Sequence, residues 1–163
     1  MSNIPGPSPL LVGAVNQGNP AVWGISSVAG QVGIVDGGPA SVYHADANAA
    51  AHVLTAASLT GSSTSVVLAL TGALTAAANA TTDTAANIVA AMASAGVGAA
   101  FRLRIINESS GAFSWTVVGG TGVTVTGTAT VAQNTWREFN VSVTAVGATP
   151  AVTLQNVGTG TYS

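Results

Sequence analysis

The chain has 163 residues, of which eight carry a charge: three arginines, no lysine and five carboxylates, for a net charge of −2. A solitary soluble domain sets charges of both signs at roughly 25–35% of its surface positions, so this composition excludes an ordinarily solvated exterior and points to a surface built into an assembly. The first hundred residues hold no cation to meet phosphates, so nucleic acid is not an expected partner. The absence of cysteine removes disulfides, thiolate metal sites and thiol nucleophiles.

Residues 1–45 form the first segment. Five of the six prolines lie there (Pro5, Pro7, Pro9, Pro20 and Pro39), among many glycines. That density breaks regular structure, yet Leu10, Leu11 and Trp23 are too apolar for a solvated linker. The expectation is an extended N-terminal arm that lies on a neighbouring subunit. The opening residues lack a basic region and do not read as a signal peptide. The apolar stretch Ala47–Leu59 is too short to span a bilayer.

Residues 46–163 are expected to form the β-domain. Residues 46–60 are rich in Ala and Leu and read as helical. Ser65–Leu70 reads as a strand with Val66, Leu68 and Leu70 on one face. Thr82–Ala95 carries the best helix signal. Thr82 or Asp83 caps its start, Ala85, Ile88, Val89 and Met92 form an apolar stripe, and Gly96 ends it. From Ala99 onward the period is two. Phe101, Leu103 and Ile105 alternate with Arg102 and Arg104; Phe113–Val118, Val123–Thr126, Thr128–Ala132, a strand around Phe139–Val143, and Val152–Gln155 follow, separated by turn residues. Six or seven short strands at near-regular spacing predict a mainly β fold, an antiparallel sandwich or barrel with one short helix.

Few residues suit chemistry. His44, Asp46 and His52 are the nearest approach to a metal site, but their spacing does not make all three converge, and no metal or cofactor is expected. No Gly-x-Ser-x-Gly elbow accompanies the serines, and no enzymatic activity is expected. Gly119-Gly120-Thr121-Gly122 lies between strands, without the helix and lysine of a phosphate loop, and reads as a hairpin turn. Arg102, Arg104 and Glu138 fall on the polar parity of their strands. Pairing of those strands predicts a salt bridge within the chain, and an intersubunit contact is the second reading. Tyr43, Trp23, Trp115 and Trp136 are core or interface anchors, and Trp136 is the best interface residue because it sits on the polar parity.

The succession Ala86–Ala91 (ANIVAA), Phe101–Ser109 (FRLRIINES), Gly120–Gly127 (GTGVTVTG) and Val131–Val141 (VAQNTWREFNV) resembles a β-domain that recurs in structural proteins of tailed bacteriophages. The resemblance spans a little over a third of the chain and leaves residues 1–60 unplaced. It implies a capsid decoration (cement) protein, made in the host cytoplasm and carried on the virion. Such a protein is commonly trimeric and sits on the outside of the head shell against the major capsid protein. A head-fibre or tail-tip receptor-binding module, and a small carbohydrate-binding β-domain, stand as alternatives.

Overall fold

The computed structural model describes residues 42–61, 65–92 and 95–162. Ten strands and two short helices follow in order: β1 (Val42–Asp46), β2 (His52–Leu54), α1 (Ala56–Leu59), β3 (Ser65–Leu70), β4 (Ala78–Thr82), α2 (Ala85–Ala91), β5 (Ala100–Asn107), β6 (Trp115–Val118), β7 (Val123–Thr126), β8 (Thr130–Val131), β9 (Thr135–Ala145) and β10 (Ala151–Thr161). The fold is mainly β, as the sequence predicts. The expected arm lies outside the described residues except for its last four, 42–45, which belong to β1.

The strands form a six-stranded sheet in the order β1-β3-β5-β9-β10-β7 and a four-stranded sheet in the order β2-β4-β6-β8. Through β6 the chain alternates between the sheets, so β1–β2, β3–β4 and β5–β6 are three successive turns of a flattened coil. Turns stack in parallel: Val42, Val66 and Leu103 share one row, as do His52, Ala80 and Val117. Antiparallel pairing is confined to β5/β9, β9/β10 and β6/β8, while β7 joins β10 in parallel. The sheets are therefore mixed rather than antiparallel. Alternation with period two reports which face of a strand is buried, but it is the same for either strand direction.

Both sheets bury their inner faces in one core. Val66, Leu68, Leu103, Ile105, Phe139, Val141 and Leu154 come from the larger sheet, and Leu54, Ala80, Trp115, Val117 and Val131 from the smaller. β3 matches its predicted span and face: Val66, Leu68 and Leu70 are fully buried. Residues 46–60 are not one helix. Asp46 ends β1, His52–Leu54 is a strand, and only Ala56–Leu59 is helical, because burial of Leu54 against the coil outweighs local helix propensity.

The second helix is shorter than its sequence signal. Thr82 belongs to β4, and Thr84 is the N-cap, its side chain accepting the Asn87 amide at 3.2 Å. Asp83 instead links the two helix starts. One carboxylate oxygen accepts the Ala56 amide of α1 at 2.9 Å, and the other accepts the Thr84 amide and the Asn87 side chain. The Asn87 side chain, with those two amides, holds the Asp83 carboxyl below its ordinary range. The helix ends at Ala91, before Gly96, and packs Ala85 and Ile88 into the core.

The third turn closes on a buried side chain. Asn107, fully buried at the end of β5, donates to the carbonyls of Phe113 and Val131 at 3.0 and 2.9 Å and accepts the Ser109 amide at 3.0 Å. Its own carbonyl accepts the Asn134 amide and the Tyr162 hydroxyl. The buried Trp115 indole donates to Ser109 Oγ at 3.1 Å, so this polar knot is internally satisfied. Each such bond is worth about 1 kcal/mol, and buried partners left unpaired cost more. Asn107→Leu, which preserves volume, is therefore expected to lower the unfolding free energy by at least about 3 kcal/mol, read from urea denaturation at neutral pH.

Candidate functional site

The outer face of the six-stranded sheet collects most of the side chains that sequence reasoning singled out. The register sets Tyr43, Val67, Arg104 and Glu138 in one row across β1, β3, β5 and β9, with Arg102 one row away. Inner positions on these strands are apolar, so the alternation forces the arginines outward. Glu138 uses both oxygens: Oε2 accepts from Arg102 Nη1 and Oε1 from Arg104 Nη2, each at 2.9 Å. The expected salt bridge within the chain is present, with two cations on one carboxylate. Its formal charge is 2 − 1 = +1.

Trp136 lies beside this network. The Arg104 guanidinium sits 4.2 Å from the centre of its ring. On the other side the indole covers the sheet at Gly160, where a Cβ would fall 2.6 Å from a ring carbon. Gly158, opposite Glu138, makes the same strand bare of side chains. Glycine at two positions of one parity in β10 leaves the space in which the indole lies flat. The indole is thus held between the guanidinium over its ring and the bare β10 backbone against it. Tyr43 is 60% exposed and Val157, at a bulge in β10, is 46% exposed, so the face also carries uncovered apolar surface.

Of the residues named as interface candidates, Tyr43, Arg102, Arg104, Trp136 and Glu138 share this face, while Leu10, Leu11 and Trp23 lie outside the described residues. Sequence reasoning missed Glu108. It shares the parity of Arg102 and Arg104, directly follows β5, and is exposed. The buried neighbours Asn107 and Ser109 confirm its direction, which the parity of Arg102 and Arg104, carried on past Ile106, could have signalled. Gly158 and Gly160 were also missed, although glycines two apart in a strand signal a space for a large neighbour.

The histidines behave differently from one another. His52 Nε2 is 3.0 Å from Asp46 Oδ2 and its Nδ1 is 2.8 Å from the Ala50 carbonyl, with its ring edge-on to Trp115 at 5.2 Å. His44 turns to the Thr60 carbonyl at 3.1 Å. Asp46 and His52 bridge the two strands of the first coil turn, and His44 does not join them. Among the described residues no group of three His, Asp or Glu side chains is placed to hold a metal. Burial pushes the Asp46 carboxyl up, but hydrogen bonds from Asn48 and His52 outweigh it and hold the group below its ordinary range. A shallow groove of about 350 Å³ runs along the turns on one side of the coil. Its lining of Ala49–Ala51, Thr75–Asn79 and Thr116 offers small side chains, two hydroxyls and one amide.

No family model matches the chain, and no curated protein or solved structure matches it either.

The shared carboxylate has a pH signature. The Arg104 hydrogen bond, stronger than the opposing effect of burial and joined by Arg102, holds Glu138 below its ordinary value of 4.5. A lowered carboxylate stabilises the fold above its unfolded pKa, and that contribution is lost as pH falls through the folded value. Glu138→Gln is therefore expected to be less stable than the parent at pH 6, by about 1 kcal/mol because the arginines are partly solvated. The gap should shrink steadily below pH 4.5, measured by thermal melts across pH 2.5–6.5.

Proposed function

We propose that the chain is a capsid decoration protein of a tailed bacteriophage, a homo-oligomer that binds the major capsid protein across capsomer boundaries. The observation that carries this reading is the outer face of the six-stranded sheet. A chain with eight charges places four of them there (Arg102, Arg104, Glu108 and Glu138), beside Trp136 and an uncovered Tyr43. Tyr, Trp and Arg are the residues enriched at the centres of protein interfaces. The small, neutral side chains that make up much of the remaining sequence suit close backbone contact with neighbours and little else.

The mechanism is mechanical. A decoration protein repeats one contact at many equivalent positions of a closed shell, and each contact resists separation of the capsomers it spans. The parallel coil supports that role because load along a strand is shared by the hydrogen bonds of the neighbouring turns. The phage resemblance in residues 86–143 supplies the setting, and residues 1–20 supply the attachment to the shell. The carbohydrate-binding alternative is less well supported: sugars stack on a free aromatic face, and the Arg104 guanidinium already lies over the Trp136 ring.

Copy number tests the reading. Quantitative mass spectrometry of purified virions is expected to find hundreds of copies per particle, the number a shell-wide contact demands. About a dozen copies or fewer would sink it in favour of a fibre or tail component. Deletion of residues 1–20 is expected to abolish shell binding while the circular dichroism and melting of the β-domain stay unchanged.

A further inference from the structure

We propose that the outer face of the six-stranded sheet binds the same face of a second copy of this chain, with the two β5 strands crossing in opposite directions about a two-fold axis. This rests on the assembly reading above and names the partner of that face.

One row of side chains faces outward along β5 and its continuation. They read Arg102, Arg104, Ile106, Glu108: two cations, an apolar residue, an anion. Arg102 and Glu108 stand six residues apart, roughly 20 Å along an extended strand. A two-fold contact is self-complementary: if one residue meets a second across the axis, the second also meets the first. Reversing the strand about the level of Ile105 sets Arg102 of each copy against Glu108 of the other, twice. It also sets Arg104 against Ile106, so like charges do not meet. A parallel stacking would instead oppose arginine to arginine and glutamate to glutamate.

The available charges favour this match. Arg102 and Arg104 share one carboxylate, so the cluster retains a positive charge, and Arg102 is the more exposed cation at 55%. Asp46 and Asp83 are already held by His52, Asn48 and the helix starts. Glu108 makes no side-chain hydrogen bond among the described residues, and its field reaches Tyr162, whose phenol is pushed up first by burial and then by Glu108.

Shape follows the same axis. Tyr43 is level with Arg104, and Ala45 with Ile106, on the edge strand β1. The reversal therefore lays the exposed Tyr43 ring of one copy over the small Ala45 of the other. Face-to-face sheets pack about 10 Å apart with strands within about 30° of one another, which leaves room for interdigitated side chains of this size.

Charge reversal on the full chain tests the pairing, with self-association read by sedimentation equilibrium in the absence of any shell. Glu108→Arg and Arg102→Glu are each expected to weaken self-association by about tenfold or more, and the double variant to restore most of it. Arg102→Glu also loosens Glu138, so thermal melts accompany each variant; Glu108→Arg, which breaks no described bond, carries the test if Arg102→Glu does not fold. Single variants that associate like the parent would overturn the pairing, as would a double variant as weak as the singles, or a parent that stays monomeric. Those results with hundreds of copies still on the virion would leave the decoration reading standing. The expected pattern in a protein absent from virions would support the pairing and remove the decoration reading.

Discussion

A single buried amide, that of Asn107, ties together the strands that meet where the parallel coil stops. At the end of β5 the chain must leave the six-stranded sheet, enter the four-stranded one, and then give up parallel stacking for the β9–β10 hairpin. Asn107 sits at that junction with its side-chain bonds made to Val131 of β8, to Phe113 in the loop that leads into β6, and to Ser109 in the turn itself. Its carbonyl holds the turn that starts β9 and the tyrosine near the end of β10. A polar side chain in a core of valine and leucine is tolerable only when every donor and acceptor is matched. In this arrangement of β5, β6, β8, β9 and β10 each of those side-chain groups finds a partner, so the network ties these five strands together.

With the topology set, the outer face follows from parity and packing. The inner rows of β5 and β9 are filled by Leu103, Ile105, Phe139 and Val141, which leaves Arg102, Arg104, Trp136 and Glu138 outside. The indole is held between Gly160 and Arg104, and Arg104 is held in turn by Glu138. Each contact is weak in water, but together they restrict the rotamers of long side chains that would otherwise be free. A chain with so few charges cannot cover its surface with them; three of the eight meet in this one network.

Much of this was legible in the residues. Ser65–Leu70 and the alternation from Phe101 onward place their strands and buried faces, and the parities of Arg102, Arg104 and Glu138 imply their contact. Two strands were hidden by composition: His52–Leu54 lies in an alanine-rich stretch, and Ala78–Thr82 contains no bulky residue. They are strands because neighbouring turns of the coil supply their hydrogen bonds and their burial. Asp83 was recognised as a helix-start acceptor, but one of the amides it accepts belongs to the other helix, 27 residues away in sequence.

By itself the sequence determined the β class of the domain, the buried face of its clearest strands, and the scarcity of charge. These are local quantities, set by composition and by a period of two. Tertiary structure alone decided the direction of the strands, the alternation between two sheets and the flat seat of Trp136 on glycine. The physical reason is that period-two alternation is identical for parallel and antiparallel partners. Which strand supplies the next hydrogen bond depends on closing long loops and on satisfying buried groups such as Asn107, and those conditions exist only when the whole chain has folded.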